Sequence, residues 1–473
     1  MNAIHREKTA CLFACVFMHA VLCGGVAVDE NGPVTLGGET GCTLVAPRSA
    51  SPVDSYAART LARYLTQSTG ADFPVVSREP AGNAGPAIFI GLSAPALARL
   101  GEPDPLAELE DEEHVCRSKG GHIFLYGKGM HGQLWAVMLF LEELVGWRWY
   151  TPLEDPVVPS KPVIRLEPFQ IRRCFSFTYR QMQVLFDPEF YYQHGINMGW
   201  RLKERPAHFV SRIPYTAFTH TLLGYIPPTP DSRYADMFAW QEKKDYFETN
   251  PAFFTLDEHG KRVPDRQLCL SNPELRAELT RNVYRDIAHA GEQGWKRLCV
   301  TLTAADTGDR FCCCPGCAAL EEQYQTPGGP LIDYVIELCG ILKEKHSEVM
   351  VKMAAYRRSQ TQNPPVLPGG GMLPENLTVS FAPVEDPYFA DWRNHDVPLI
   401  QDTVSDLMRW GRLAHSLMCW IYPSPYGTGI DMPVGMVGRI TSNLRVMKHA
   451  GVDSIFPEFN TPLKFRCKSL FCK

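Results

Sequence analysis

The chain has 473 residues, 45% hydrophobic and 21% charged, an ordinary globular composition with length for two or three domains. A net charge of −5 and a pI near 6.3 argue against the basic footprint of a nucleic-acid binder. Aromatic residues reach 11%, with nine tryptophans; sugar faces stack on such rings, although aromatic-rich cores give the same figure.

His5, Arg6 and Lys8 precede an apolar stretch over residues 10–23, and the small residues Gly24, Gly25 and Ala27 follow. Residues 1–28 therefore read as a cleaved signal peptide, because the stretch is too short to span a bilayer. The protein is expected to be exported, to the periplasm or the extracellular space. Lipid anchoring at Cys23 is disfavoured by the large Leu22 before it. No later segment reads as a membrane span. Of sixteen cysteines, three fall in the signal and thirteen remain. Most stand singly in apolar runs, as Cys299, Cys339 and Cys419 do, which is core usage rather than a disulfide framework.

Residues 35–150 read as an α/β domain. Tyr56, Leu61, Tyr64 and Leu65 recur at helical spacing over residues 52–69, and Gly70 can end that helix. Strand patterns follow at 73–76, 87–92 and 121–126, then an amphipathic helix at 130–145 and the closing motif Gly146-Trp147-Arg148-Trp149-Tyr150. The succession YAARTLARYLTQSTG, FPVV, AIFIGL and IFLYGKGMHGQLWAVMLFLEELVGWRWYTP resembles the small N-terminal domain of α-glucuronidases and β-hexosaminidases. In those families the domain sits beside a catalytic (β/α)8 barrel and carries no catalytic residue.

Residues 151–171 are rich in proline and read as a linker. From 172 to 460 strand patterns recur: 175–182 with Arg180 near its end, 196–202, 213–222 with His220 near its end, 298–302, 349–355, 377–381, 413–422 and 453–456. Helical patterns at 273–290, 331–345 and 437–450 alternate with some of them. Eight strands with interspersed helices predict a TIM-type (β/α)8 barrel, so the fold class is α/β throughout. The motif CLSNPELR, the strand before Asp306, a CxCxxC cluster, CWIYPSPYG and GVDSIFPEFN together resemble the bacterial family catalogued as domain of unknown function 4838. That family is partly placed in glycoside hydrolase family 163, whose characterised members resemble endo-β-N-acetylglucosaminidases acting on N-glycans. The tail at 461–473 is basic and lacks apolar periodicity, and reads as a truncated or frame-shifted end of an incomplete barrel.

The chemistry should sit just past the strand ends. Glycoside cleavage needs a proton donor at the leaving oxygen and a second group at the anomeric carbon. Asp306, Glu385 and Glu458 are the candidate catalytic carboxylates, with Glu385 first choice for the acid; Asp386 is a candidate substrate contact. If the sugar bears an N-acetyl group, its carbonyl can act as nucleophile while one carboxylate orients the amide. The bland alternative for each carboxylate is a solvated loop residue or a helix cap. Arg180, His220, Trp420 and Tyr422 are candidates for binding sugar, against the alternative of satisfied core positions. Cys312, Cys314 and Cys317, with Cys313 between, can bind zinc with a fourth ligand from elsewhere, form a local disulfide, or stay reduced. Each version pins the loop that carries Asp306. Gly369-Gly370-Gly371 is a turn, since it lacks the Lys-Ser/Thr of a phosphate loop. The expectation is a secreted glycoside hydrolase on complex glycans, needing no cofactor beyond a possible structural zinc. The alternatives are a catalytically silent carbohydrate-binding barrel and an α-glucuronidase-like exo-hydrolase. Carbohydrate is the expected partner, with neither nucleic acid nor a stable membrane span.

Overall fold

The computed structural model describes residues 32–38, 41–78, 85–150, 154–182, 188–199, 213–385, 390–394, 396–422 and 437–458. The signal-peptide reading, Asp386 and the tail at 461–473 lie outside these residues. The chain divides into two units, one of residues 1–180 and 185–212, the other of 181–184 and 213–473.

The first unit holds a six-stranded mixed sheet. Its strands are β1 (Thr43–Val45), β2 (Val75–Val76), β3 (Ala87–Ile90), β4 (His114–Lys119), β5 (His122–Gly127) and β6 (Gln170–Arg173), in the order β2-β1-β3-β5-β4-β6. Helix α1 (Pro52–Thr69) begins on a reciprocal capping box between Ser51 and Asp54 and ends on Gly70, whose φ of 74° suits glycine. The helical pattern at 130–145 forms α2 (Gly132–Leu139), followed by a wider turn over Phe140–Val145 that Gly146 stops. The GWRWY motif then turns inward. Trp147 is fully buried, packs 4.3 Å from the Tyr64 ring and donates from Nε1 to Ser68 Oγ at 2.9 Å, so it fastens the chain to α1. The proline-rich segment expected as a linker carries Val163–Leu166, with exposed and buried residues alternating, and β6. Val163–Leu166 pairs antiparallel with Val34–Gly37, so the period-two pattern prevails over the prolines beside it.

The second unit contains a hairpin of β7 (Phe254–Leu256) and β8 (Arg262–Leu268), then α3 (Pro273–Glu292) and β9 (Leu298–Leu302). Next come α4 (Pro315–Tyr324), α5 (Gly329–Lys345), β10 (Val349–Tyr356), β11 (Leu377–Ala382), α6 (Pro398–Leu413), β12 (Ser416–Ile421), α7 (Val437–His449) and β13 (Ser454–Pro457). Strands β9 to β13 pair in parallel, each with the next in the chain, as a curled half-barrel. Their continuous apolar runs are buried on both faces, as parallel strands require.

The pattern at 213–222 does not form a regular strand. It makes one parallel bridge, Tyr215 to Cys299, and then the short helix Leu222–Tyr225. Pro214 brings no N–H, and Thr221 instead bonds through Oγ1 to the Thr301 carbonyl at 2.5 Å. The patterns at 175–182 and 196–202 shrink to Tyr179–Met182 and Met198–Gly199.

Candidate active site

Each parallel strand delivers a polar or charged residue just beyond its carboxyl end. Asp306 lies four residues past β9, Arg357 directly after β10, Glu385 three past β11, Tyr422 directly after β12 and Glu458 directly after β13.

Arg357 ties two of the predicted carboxylates together. Its Nη2 donates to Asp306 Oδ1 at 3.0 Å and its Nη1 to Glu385 Oε1 at 3.1 Å. Tyr356 OH adds a bond to Asp306 Oδ1 at 2.9 Å, and the Arg358 amide donates to Glu385 Oε2 at 3.1 Å. Both Glu385 oxygens therefore accept from donors set by one short stretch of backbone. Burial opposes charge on Asp306, but the hydrogen bonds from Arg357 and Tyr356 prevail and hold its carboxyl below the usual aspartate range. Arg357 takes a left-handed φ of 53°, uncommon for a residue with a side chain, where β10 breaks into the turn Arg357–Thr361.

His220 also has a left-handed backbone, φ 55°, and its Nδ1 lies 2.9 Å from the Ala304 carbonyl. Burial lowers the His220 pKa against the opposing pull of that carbonyl and of Asp306. The neutral ring then donates from Nδ1 and keeps Nε2 as an acceptor.

Glu458 is enclosed, only 7% exposed. Trp420 Nε1 donates to its Oε2 at 2.8 Å. Trp420 lies edge-on to Phe456 at 4.7 Å, tilts against Phe218 at 5.0 Å and stacks near Tyr422 at 6.2 Å. Both Trp420 and Tyr422 are buried, so protein neighbours take much of their ring surface.

Arg180 belongs to the first unit and is 2% exposed. Its Nη2 donates to Glu112 Oε2 at 2.7 Å, its Nε to the Gly195 carbonyl at 2.5 Å, and its guanidinium lies 3.7 Å from the Phe175 ring centre. His131 Nδ1 and Asn197 Nδ2 each lie 2.9 Å from a Glu112 carboxylate oxygen as well. These contacts make Arg180 the centre of a buried ion-pair network.

The cysteines converge as a tetrad. Sγ atoms of Cys269, Cys312, Cys314 and Cys317 all lie within 4.8 Å of one another. The fourth member, Cys269, follows β8 and opens CLSNPELR, while Cys313 is exposed outside the group. Cys299 and Cys339 are core thiols, each pushed up to about 12 by burial.

Two charged residues of this region escape a sequence reading. Arg357 follows an apolar strand, but an arginine there reads as solvated. Lys352, in the middle of β10, is fully buried; it donates from Nζ to the Phe218 carbonyl at 2.9 Å and lies over the Tyr215 and Phe218 rings. Burial lowers its pKa to about 8.

The fold is glycosidase-like. Its structural neighbours include a family GH115 4-O-methyl-α-glucuronidase with specificity for decorated arabinogalactans, at TM-score 0.56 and 12% identity over 92% of this chain. This chain spans only 56% of that protein's chain. A β-hexosaminidase from Streptomyces plicatus bound to its GlcNAc product matches at TM-score 0.46 and 12% identity, covering 92% of this chain and 84% of that one. A β-N-acetylhexosaminidase from Bacteroides fragilis matches at TM-score 0.41 and 11% identity, covering 84% of this chain and 74% of that one. The chain belongs to the DUF4838 family, a domain of unknown function whose model matches residues 149–464. Comparison with curated proteins finds no match. Among the described residues no helix is long and apolar enough to cross a membrane.

Proposed function

We propose that this protein is an exported glycoside hydrolase acting on complex glycans, of endo-β-N-acetylglucosaminidase type, working by carboxylate chemistry at the carboxyl edge of its parallel sheet. The observation that carries this reading is the run of Asp306, Arg357, Glu385, Tyr422 and Glu458 after five successive parallel strands. A glycosidase barrel places its acid and its second group there.

Glu458 is assigned the proton donor. Its enclosure beside the Trp420 indole gives the water-poor surroundings a carboxylic acid needs, and the indole fixes the direction of its Oε2. This departs from the first choice on sequence, Glu385, because both Glu385 oxygens already accept from fixed donors. Asp306 and Glu385, held by Arg357, act on the sugar side. With an N-acetylated sugar the acetamido carbonyl oxygen attacks the anomeric carbon, and Asp306 accepts the amide N–H. Glu458 gives its proton to the departing oxygen and later removes one from the attacking water.

A second reading, a silent carbohydrate-binding barrel, is favoured by Arg357, which ties up two of the three carboxylates in ion pairs. Incubating the protein with a glycan panel, with product masses read out, separates the two. The panel should include N-glycans and glucuronyl-decorated arabinogalactan. Cleavage within the N-glycan core supports the proposal. Release of glucuronic acid alone would replace it with an exo-glucuronidase. Binding in calorimetry without products would support the silent barrel.

A further inference from the structure

We propose that Cys269, Cys312, Cys314 and Cys317 form a structural zinc site that clamps the β7–β8 hairpin to the loop carrying Asp306. The first argument is convergence. Each sulfur lies within 4.8 Å of the other three, and Cys269 and Cys314 are 3.5 Å apart. Tetrahedral zinc with Zn–S near 2.3 Å sets its sulfurs about 3.8 Å from one another. Disulfide pairing would call for two close partners, whereas here all four sulfurs share one centre.

The second argument is the set of donors aimed at sulfur. The Leu256 amide points to Cys312 Sγ at 3.2 Å and the Cys317 amide to Cys314 Sγ at 3.4 Å. The Arg262 guanidinium is 3.9 Å from Cys312 Sγ. Ser271 Oγ, with one proton to give, lies 3.3 Å from Cys314 Sγ. A tetrathiolate zinc centre carries net negative charge, which such donors offset; a disulfide sulfur is neutral and has little use for them.

Local sequence supports the same centre. Cys314 caps α4 with Pro315 in its first turn, so Cys314-Pro-Gly-Cys317 folds its two sulfurs to one side. At Gly316 a β-carbon would come within 2.8 Å of Ser271 Oγ, so any larger residue there would make Ser271 shift. Cys313 is exposed and provides an internal control.

The clamp reaches the candidate active site through Gln267, two residues before Cys269. Its amide oxygen accepts from Ala305 N at 2.9 Å, and its Nε2 donates to the Ala305 carbonyl and to Thr307 Oγ1, both at 3.1 Å. Asp306 is bracketed by these bonds. On the other strand, Thr255 Oγ1 donates to the Phe311 carbonyl at 2.6 Å.

The test is metal analysis of the purified protein. We expect one zinc per chain, released stoichiometrically when a mercurial titrates the thiols. Protein loaded with cobalt(II) should give the ligand-field and charge-transfer spectrum of a tetrahedral tetrathiolate. Cys269→Ser should lose the metal, and Cys313→Ser should keep it. If Cys269→Ser fails to fold, the wild-type titration and cobalt spectrum decide alone. Disulfide-linked peptides among the four cysteines, or free alkylation of all four in protein without stoichiometric metal, would overturn the proposal.

Discussion

The Trp420 indole donates a 2.8 Å hydrogen bond to Oε2 of Glu458, so the last two strands of the half-barrel hold one polar contact inside an aromatic cluster. If Glu458 is the proton donor, Glu458→Gln should slow glycan cleavage by ~10²-fold or more, the usual scale of general acid catalysis. Trp420→Phe keeps the ring and removes the donor. A hydrogen bond to a charged group is worth about 1.5–3 kcal/mol, so a loss of roughly ten- to a hundredfold is expected. The alkaline limb of the pH–rate profile, which a proton donor sets, should move with it. Near-normal turnover in both variants would refute the assignment.

Arg357 and Asp306 give a prediction in pH. Burial opposes ionisation of Asp306, yet Arg357 and Tyr356 depress its folded-state pKa. A depressed carboxyl contributes stability above its unfolded pKa and loses it as pH falls through the lower folded value. The gap in melting temperature between wild type and Arg357→Gln should be steady near neutrality. Below about pH 4, the ordinary aspartate value, it should shrink. A gap independent of pH would mean that Arg357 acts by packing alone.

Arg180 should prove to be a stability residue. The Arg180–Glu112 pair is buried on both sides, and removing one partner strands the other charge. Breaking such a pair costs roughly 3–5 kcal/mol, so Arg180→Ala should lower the unfolding midpoint sharply. Glu112 is held far below the usual glutamate range, burial opposing and His131 and Arg180 prevailing. Acid should therefore destabilise wild type more than a Glu112→Gln, Arg180→Met double variant. Chemical denaturation at neutral and acidic pH checks both statements.

Lys352 predicts a slope of the same sign in an alkaline window. Its folded pKa near 8, against 10.5 for an ordinary lysine, means that the unfolded chain holds the extra proton between those values. Stability should therefore rise with pH across that window. Relative to Lys352→Met, the wild type should gain on the order of 3 kcal/mol, the scale set by the shift. Parallel denaturation curves for the two proteins at pH 7.5, 9 and 10.5 measure it.

What the sequence disclosed follows from the range of each interaction. Helix α1 and its glycine stop are written in local spacing and were placed to the residue. The central strands announce themselves as continuous apolar runs, and the position past each strand end follows from that. The boundary at 413 shifted because Leu413 closes α6 and β12 begins at Ser416. The partners of those positions are another matter. Glu112 and Arg180 are 68 residues apart, Trp420 and Glu458 are 38, and Cys269 stands 43 before Cys312. Nothing local marks such pairs. CxCxxC was visible as three ligands, but the fourth depends on how a hairpin folds back. Likewise Arg357 looks solvated until two loops bring Asp306 and Glu385 to it.

The five parallel strands stand in the sheet in the order in which they are synthesised. Each new strand has a neighbour that is already present and needs no partner from further along the chain. Assembly can therefore proceed as a series of short-range dockings, each closing one modest loop, which suits growth from the ribosome. Under that scheme the paired carboxylates on Arg357 are complete once β11 has docked, and Glu458 arrives with β13. A nascent chain halted before β13 would hold the Arg357-linked carboxylates in place without Glu458, so the two parts of this sheet edge are acquired one after the other.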